Sequence, residues 1–490
     1  SNLGLAILYE LLNDRPPDFW AQRAYFELDA EEARALESGW ELRRFHVVGF
    51  SLQTELNFAN LLEILNLGEI PLFRWERGEA DPLIIAGGPQ VLNPWPVEAF
   101  VDAFFVGEAE ESLLEAAEVF RERARGMPRR EALEELAKIE GVWVPGVSEG
   151  KVRRRFVKTL PLAPVRPPVP FGEIIHDRYT LELTRGCLAG CRFCEGGFTS
   201  RPLRVRSLED AQALALEGMR GTGWEEIGLA AFSISEYPWL PELVEFILRN
   251  LPGVRIAVPS LPADRLEYVL DLVGHMRTSS FTIAPETGSP RLLRVINKPV
   301  DLDAARRALD AAERFRVKHV KMYFMLGLPT ETDDDLVETG KYLKHLARSH
   351  PRIALKASFA PFTPRPFTPF QWEPMITPEE AWRRIKLVRR VARARNLRIS
   401  FRNPFKSAIQ GILARGGPGS WKIVYGAWKR GALHDHWSER LKEEAWLGAL
   451  EELGLRLEEL LGPKEEAPWQ EIVDVGVLEG FLRLEAKRSK

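Results

Sequence analysis

Cysteine is scarce in this sequence, with three residues among 490. So small and odd a number cannot build the disulfide scaffold of a secreted protein, and it suits a reducing compartment. Long hydrophobic runs are missing as well. No stretch approaches the roughly 18 residues of a membrane span, and the N-terminus shows no basic segment followed by an apolar one. We therefore expect a cytoplasmic protein without contact to a membrane.

Excess charge of one sign is also missing. The 67 basic and 70 acidic residues leave a net charge of -3, which excludes a global attraction to nucleic acid or to anionic lipid. A hydrophobic content of 45% and a charged content of 28% are typical of soluble globular proteins. At about 150 residues per domain, the length predicts two to four domains.

The first region, residues 1–140, alternates apolar strand candidates with helices. Continuous apolar strands separated by helices predict an α/β domain with a doubly wound, Rossmann-like parallel sheet. The chain starts directly in an amphipathic helix, SNLGLAILYELLNDR, so we expect this domain to be truncated at its N-terminus. The predicted strands are 24–28, 46–52, 82–88 and 102–108, and the predicted helices include 55–66 and 109–124.

Residues 141–175 separate this domain from the next. The segment 141–157 predicts a hairpin of two strands around the turn at 148–150, and the proline-rich segment 161–173 predicts a linker.

A longer and more regular alternation follows over residues 176–400. Six strand-helix units predict a partial (β/α)6 barrel of the TIM type. Ser207 with Asp210, and Thr332 before three aspartates, predict two helix starts. Residues 401–490 predict a small, mostly helical region. The predicted barrel strands are 179–184, 225–233, 254–260, 279–286, 319–327 and 353–360, and the helices lie near 208–220, 239–250, 262–275, 302–315, 333–348 and 378–394.

All three cysteines lie within TRGCLAGCRFCEGG, residues 184–197, directly after the first barrel strand. A structural zinc site needs a fourth ligand, and the nearest histidine is His176. A 4Fe-4S cluster held by three cysteines keeps one iron free for another ligand, as an open catalytic metal site does. The glycines of the segment allow backbone to approach a bulky cluster closely.

The spacing Cys-x3-Cys-x2-Cys in CLAGCRFC resembles the signature of the radical SAM superfamily. The resemblance implies a 4Fe-4S cluster on Cys187, Cys191 and Cys194, and a deoxyadenosyl radical formed from S-adenosyl-L-methionine. The segments 281–298, 322–335 and 360–372 look like later strands of such barrels. IIAGGP and FFVGEAEES in the first domain resemble the cobalamin-binding-like domain that precedes some of them, as in an uncharacterised bacterial subfamily.

The resemblance also implies residues that contact S-adenosyl-L-methionine. Phe193 would lie against the adenine, Ser233 and Ser235 near the methionyl part, and Glu286 near the ribose, with Gly327 ending the fifth strand. The alternative is that these serines and Glu286 only cap loops and helices. The arginines Arg201, Arg204 and Arg206 could neutralise a carboxylate or form a solvated surface.

The sequence departs from known relatives in three respects. It lacks the additional cysteines of methylthiotransferases, and it lacks the further catalytic cysteine of radical RNA adenine methylases. In RRFHVVG, Arg44 stands where the cobalt-binding motif Asp-x-His-x-x-Gly has aspartate, and His46 is interpreted as an edge or core histidine. Cobalamin would then bind without a protein histidine ligand, or not at all.

The predicted function is a radical SAM enzyme that modifies an unreactive carbon, with methyl transfer to RNA, protein or a metabolite as one form. Cobalamin-independent oxidation or rearrangement, and a non-catalytic iron-sulfur binding factor, are the alternatives. We expect a reductant such as flavodoxin or ferredoxin as partner. Basic runs at 121–130 and 151–158 could contact phosphates, although a solvated surface is the simpler interpretation.

Overall fold

A computed structural model describes residues 2–14, 19–170, 172, 174, 177–257 and 280–490. The predicted α/β class, with parallel sheets and a helical C-terminal region, is confirmed. Within these residues, no helix combines the length and the apolarity that crossing a bilayer requires.

The N-terminal sheet has four strands in the order β1-β2-β3-β4. The first three are parallel and the fourth is antiparallel. Its central strand, LIIAG, is almost entirely buried, because neighbouring strands and helices cover a parallel strand on all sides. The strands are β1 (Val47–Ser51), β2 (Leu83–Gly87), β3 (Ala103–Phe105) and β4 (Val142–Trp143), and the helices are Leu3–Asn13, Phe58–Leu67, Glu110–Ala124 and Arg129–Leu136.

Two predictions for this half are wrong. Residues 24–28 form no strand. Tyr25 is exposed and Phe26 stacks on His434 at 4.3 Å, so these rings pack on loops instead of a sheet. The segment 141–157 is not a hairpin: β4 pairs with β3, whereas β5 (Val152–Arg153) pairs with Val473–Asp474 from the C-terminal region. Both β4 and β5 therefore pair with strands that are distant in sequence, and not with each other.

The central region contains two parallel sheets and one hairpin. The first sheet has the order β10-β9-β6, and the second has the order β11-β12-β13-β14. Strands β7 and β8 pair antiparallel beside them. The bounds are β6 (Tyr179–Glu182), β7 (Thr184–Arg185), β8 (Arg204–Val205), β9 (Glu226–Ala230), β10 (Arg255–Ala257), β11 (Ser280–Glu286), β12 (His319–Leu326), β13 (Ala354–Pro361) and β14 (Leu397–Phe401).

Strand β14 continues the sheet one strand beyond the predicted six units. The predicted strand 254–260 is described only as far as residue 257, and the predicted helix 262–275 lies outside the described residues. Both predicted helix starts are confirmed, since Ser207 accepts the amide of Asp210 at 3.1 Å and Thr332 forms a capping box with Asp335. The described helices are Leu208–Thr222, Leu240–Asn250, Pro290–Val295, Leu302–Arg314, Asp333–Ser349 and Pro378–Val391.

The C-terminal helices pack on the N-terminal sheet. One continuous core joins Phe58, Ile84 and Phe104 with Trp446 and Trp469, while the barrel strands and their helices form a separate core. The C-terminal elements are the helices Pro404–Ala414, Trp421–Lys429, Glu443–Glu452, Leu457–Leu461 and Glu479–Lys487, with β15 (Val473–Asp474) between the last two.

Candidate cluster-binding site

The three cysteines lie on a loop, residues 186–203, that the hairpin of β7 and β8 closes at its base. We call it the cluster loop. Gly186 has a φ of +101°, and a Cβ there would lie 2.7 Å from the carbonyl oxygens of Ser200 and Pro202. Only glycine fits this close approach of the two ends of the loop.

The three thiols are electrostatically coupled to one another. Cys191 is buried, and Cys187 and Cys194 are partly buried. Burial raises the pKa of all three thiols, that of Cys191 to about 12. The positive charge of Lys298 acts in the opposite direction on each of them. The amide of Cys194 donates to the carbonyl of Cys191 at 3.0 Å, which folds the second and third cysteines into a tight turn.

Across the part of the chain that the structure describes, no three His, Cys, Asp or Glu side chains are grouped to hold one metal ion. His176, the histidine nearest to the cysteines in sequence, lies outside the described residues. Three thiols on one loop are the ligand set of an iron-sulfur cluster in which three of the irons each take one thiolate.

Glu286 and Lys298 form a buried ion pair beside the thiols. Glu286 ends β11 with a φ of +68° at an irregularity in the strand pairing. Its Oε1 accepts from Lys298 Nζ at 2.9 Å. Burial raises the pKa of Glu286 and Lys298 lowers it, with a net upward shift. Burial opposes the charged form of Lys298, but Glu286 and Cys191 outweigh it and raise its pKa. The pair places one cation against the thiols.

The predicted serine contacts follow the carboxyl end of β9, and the predicted aromatic contact lies in the cluster loop. Ser233 is buried and precedes the short helix Ile234–Glu236, which contains Ser235. Phe193 packs in an apolar cluster with Ile296 and Phe362, and the Lys298 ammonium lies 6.0 Å from its ring centre. The roles of these residues toward S-adenosyl-L-methionine stay predictions.

Gly327 follows β12 with a φ of +78°. A Cβ there would lie 2.8 Å from the side chain of Ile376. Its amide donates to Glu331 Oε2 at 2.7 Å, and Arg384 donates to the same oxygen at 2.8 Å. Burial raises the pKa of Glu331 to about 7, against these two hydrogen bonds. The backbone at Gly327 is therefore fixed by a buried carboxylate.

Sequence reasoning missed several residues that hold the cluster loop in place. The Phe232 ring packs so close to Gly196 that a Cβ there would lie 2.8 Å away. Asn297 donates to the carbonyl of Gly190 at 2.9 Å, and Glu236 accepts the amide of Leu188 at 3.4 Å. Each lies at a strand end or just after a helix, so only its position in the barrel identifies it.

The three arginines after the cysteines are structural. Arg201 donates to the carbonyls of Gly197 and Ala189. Arg204 and Arg206 are buried: Arg204 holds Glu108 of the N-terminal domain at 2.7 Å, and Arg206 donates to the carbonyl of Glu182 at 2.6 Å. Arg204 and Arg206 do not form a solvated surface, because both are buried and donate hydrogen bonds within the protein. Nη2 of Arg206 is buried without a hydrogen-bond partner among the described residues.

The C-terminal helix Glu479–Lys487 also contacts the cluster loop. Arg192, which directly follows Cys191, is buried and pairs with Glu485 at 3.1 Å. The same guanidinium donates to the carbonyl of Val295 at 2.8 Å. The helix Glu479–Lys487 therefore stabilises the cluster loop from outside the barrel.

A second ion network joins the loop to the N-terminal sheet. Arg365 donates to Glu195 at 3.1 Å, to Glu55 at 2.5 Å and to Gln90 at 2.7 Å. Glu55 and Gln90 follow the carboxyl ends of β1 and β2. The second oxygen of Glu55 is buried without a hydrogen-bond partner among the described residues. One arginine thus connects three segments far apart in sequence.

Side chains close this edge of the N-terminal sheet. The gap that Glu55, Gln90 and Glu195 line leaves no room for a water molecule, so a corrin could enter only after these side chains move. His46 is exposed and precedes β1, at the opposite end of the strand. Glu55 and Gln90 at this edge are engaged by Arg365.

Comparison with known proteins agrees with the geometry. The family described as "Radical SAM proteins, N-terminal" matches residues 4–145, and "Radical SAM superfamily" matches residues 181–343. The second match contains all three cysteines.

Two relatives differ in how similar they are to this chain and in how much of it they match. The chain is 30% identical to the uncharacterized protein MJ0966 of Methanocaldococcus jannaschii, over 78% of this chain and 80% of that protein. It is 26% identical to the threonylcarbamoyladenosine tRNA methylthiotransferase MtaB of Treponema pallidum, over 49% of each chain. The chain therefore spans about half the length of this second relative.

Among solved structures, the chain is similar to the radical S-adenosylmethionine methyltransferase TsrM from Kitasatospora setae with cobalamin and a 4Fe-4S cluster bound. The TM-score is 0.52 at 16% identity, covering 83% of this chain and 88% of that chain. This likeness shows the shared fold. With the family matches and the arrangement of the three cysteines, it follows that the chain belongs to the radical SAM superfamily.

Proposed function

We propose that this protein holds a 4Fe-4S cluster on Cys187, Cys191 and Cys194 and uses S-adenosyl-L-methionine to abstract hydrogen from an unreactive carbon, without cobalamin. One observation carries the proposal: all three thiols of the chain project from one closed loop at the carboxyl ends of the barrel strands. When bound, the reduced cluster supplies the electron that cleaves the sulfonium and yields a deoxyadenosyl radical.

The side chains around the loop have distinct tasks in this proposal. The three thiolates bind iron, and Lys298 offsets their negative charge, which favours a low-charge environment for the cluster. Glu286 holds Lys298 in position and offers its second oxygen to a ribose hydroxyl. Phe193 supplies an apolar surface for the adenine, with Ser233 and Ser235 nearby for the methionyl part. Gly327 presents backbone that Glu331 keeps fixed.

Two observations favour chemistry without cobalamin. The edge of the N-terminal sheet is filled by the Arg365 network, and His46 lies at the wrong end of β1. TsrM contains cobalamin in its structure, but at 16% identity that likeness speaks for the fold alone. Methyl transfer through a corrin is therefore the second candidate.

Two observations bear on the nature of the substrate. The tRNA methylthiotransferase relative suggests RNA, yet this chain has no cysteines for a second cluster. Two arginines of the basic runs are engaged within the protein: Arg129 pairs with Asp102 at 2.6 Å and Arg155 with Glu115 at 2.6 Å. We propose a small reductant protein such as flavodoxin or ferredoxin as electron donor.

Anaerobic reconstitution tests the proposal. Wild type should bind four irons and release 5′-deoxyadenosine when reduced with S-adenosyl-L-methionine. Cys191→Ala should lose both, while Ser200→Ala, a loop variant whose side chain makes none of the described hydrogen bonds, should keep both. An intact cluster that never releases deoxyadenosine would support the non-catalytic binding factor. Retention of one equivalent of added cobalamin through gel filtration would overturn the cobalamin-independent reading.

A further inference from the structure

The sheet of β12, β13 and β14 has two chemically different faces. Val320, Met322 and Phe324 on β12 are buried against helices, and the alternate positions point the other way. On that inner face, Lys321 and Tyr323 are in contact, as are the hydroxyls of Ser358 and Ser400 at 2.8 Å. The inner face of these strands is therefore polar.

Three cations stand side by side on this inner face. The strand register pairs Lys321 with Lys356, and Lys356 with Arg398. Neighbouring strands lie about 4.8 Å apart, so the three side chains form one row about 10 Å long. We call it the basic row. Like charges directly opposite each other on adjacent strands destabilise a sheet. The stability of the sheet therefore does not explain why these three positions are basic.

Within the described residues, no carboxylate compensates the basic row. None of its three cations forms an ion pair there, and Lys321 donates only to the Tyr323 hydroxyl at 2.7 Å. Two carboxylates of the described barrel interior have other partners: Glu182 pairs with Arg185 at 2.8 Å and Glu286 with Lys298 at 2.9 Å. The described part of the inner face therefore carries three positive charges that lack an ion-pair partner.

The positive face extends toward the cluster loop. Arg402 follows β14 in the same alternation as Arg398 and Ser400, and it forms no ion pair within the described chain. Burial of its guanidinium lowers its pKa, whereas the nearby carboxylate of Glu55 raises it. The four steps along the chain from Arg398 to Arg402 span about 13 Å at 3.3 Å each. Cations at both ends and hydroxyls of Tyr323, Ser358 and Ser400 between them line one continuous path to the strand ends.

We propose that the substrate is a small molecule with at least two neighbouring anionic groups, bound by the basic row so that its other end reaches the carboxyl ends of the strands. This inference rests on the proposed function, because it assigns the substrate class of that same site. Charge-assisted hydrogen bonds favour oxyanions here, and both phosphate and carboxylate groups offer that chemistry. The hydroxyls in the next row supply neutral hydrogen bonds to the middle of the molecule.

Anion binding can be measured without turnover. Reconstituted protein is titrated with inorganic pyrophosphate and, separately, with tricarballylate, by calorimetry at low salt. We expect binding of one of them, weakened about tenfold or more by Lys356→Gln and by Arg398→Gln. The preference between the two anions identifies phosphate or carboxylate. Lys386→Gln, an exposed lysine on the outer helix Pro378–Val391, is the matched control and should bind like wild type.

The variants also give a readout that does not depend on binding. Without anion, Lys356→Gln should unfold at a temperature equal to or above that of wild type, because a like-charge contact is removed. Loss of anion binding with preserved release of deoxyadenosine supports the inference. Equal affinity in wild type and both variants, or binding of neither anion, would overturn it, whereas failure to release deoxyadenosine in wild type speaks only against the proposed function.

Discussion

The two largest hydrophobic cores among the described residues are built in different ways. The barrel core takes its residues from one continuous stretch, 179–392, whereas the second core combines residues 42–143 with residues 367–475. The barrel core consists of neighbouring strand-helix units, while the second core requires the chain to return across more than 200 residues. Closing so long a loop costs additional conformational entropy. We expect the second core to depend on the barrel, and not the reverse.

The cluster loop lies where the two cores meet. Its base is held by Glu108 through Arg204, and its middle is held by Glu485 through Arg192 and by Glu55, which Arg365 joins to Glu195 of the loop. All three acids belong to the elements that surround or extend the second core. The cysteines are thus presented by the barrel, but their loop is fixed by the N-terminal and C-terminal parts together.

The largest expected effect comes from breaking the second core. Trp446 is fully buried and its indole donates to Asp435 at 2.9 Å. Trp446→Ala should cost about 3–5 kcal/mol. If the core is shared, hydrogen exchange should accelerate in β2 as well as in the C-terminal helices, while β12 keeps its protection.

The control for this prediction is Trp437→Ala, because Trp437 is largely exposed and should change stability by at most about 0.5 kcal/mol. Unchanged exchange in β2 of the Trp446 variant would show that the two terminal regions are independent.

Cutting the connection between the second core and the cluster loop should have the next largest effect. Arg365→Met leaves Glu55 and Glu195 as buried carboxylates without their cation, at a cost of about 3–5 kcal/mol. The spectrum of the reduced cluster, recorded by electron paramagnetic resonance, should also shift, since Glu195 follows Cys194 directly.

A surface arginine gives the comparison for Arg365. Arg383 pairs with Asp333 and Glu380 in solvent, and Arg383→Met should cost less than about 1 kcal/mol without altering the spectrum. A spectrum that stays the same in the Arg365 variant would mean that the loop does not need the N-terminal domain.

Local signals explain what the sequence predicts correctly. The apolar run of β2, the capping box at Thr332 and the spacing of the cysteines each lie within a few residues, so the fold class, both helix starts and the cysteine loop follow from the sequence. The apolar run at 24–28 misleads because no sheet edge accepts it. Strand β14, LRISF, mixes polar and apolar residues and becomes a strand only beside β13.

Long-range pairings explain what the sequence does not predict. The partners of β4 and β5 are chosen by which sheet edge is open, not by their proximity in sequence. Glu55 and Arg365 are 310 residues apart, and no local pattern marks them as a pair. The basic row is also invisible in sequence, because Lys321, Lys356 and Arg398 become neighbours only through strand register.

A moderate effect is expected inside the barrel, from Asp335. Burial raises its pKa, but hydrogen bonds from Arg291, Ser289 and Thr332 outweigh this and hold the pKa at about 2. The ionised carboxylate therefore stabilises the fold above the unfolded pKa of about 3.9, and this contribution is lost as the pH falls toward 2. Asp335→Asn should cost about 1.5–3 kcal/mol at pH 7.

Urea unfolding at several pH values tests Asp335 against its neighbour Asp334, which is exposed. Asp334→Asn should stay within about 0.5 kcal/mol of wild type at every pH. The difference between wild type and Asp335→Asn should shrink between pH 4 and pH 2, and a difference that is constant over this range would contradict the assigned pKa.

The smallest effect is expected at the helix start Ser207, a contact that lies wholly within the barrel. Its hydroxyl accepts the amide of Asp210 at 3.1 Å, so Ser207→Ala should cost about 1 kcal/mol, and Ser207→Asp should restore most of it because aspartate caps equally well. Hydrogen exchange should accelerate first in the helix Leu208–Thr222. Where the loss of protection spreads to the barrel strands, β2 should lose protection as well, because the second core depends on the barrel. Barrel strands that lose protection while β2 keeps its own would contradict the order of dependence that the chain connectivity predicts.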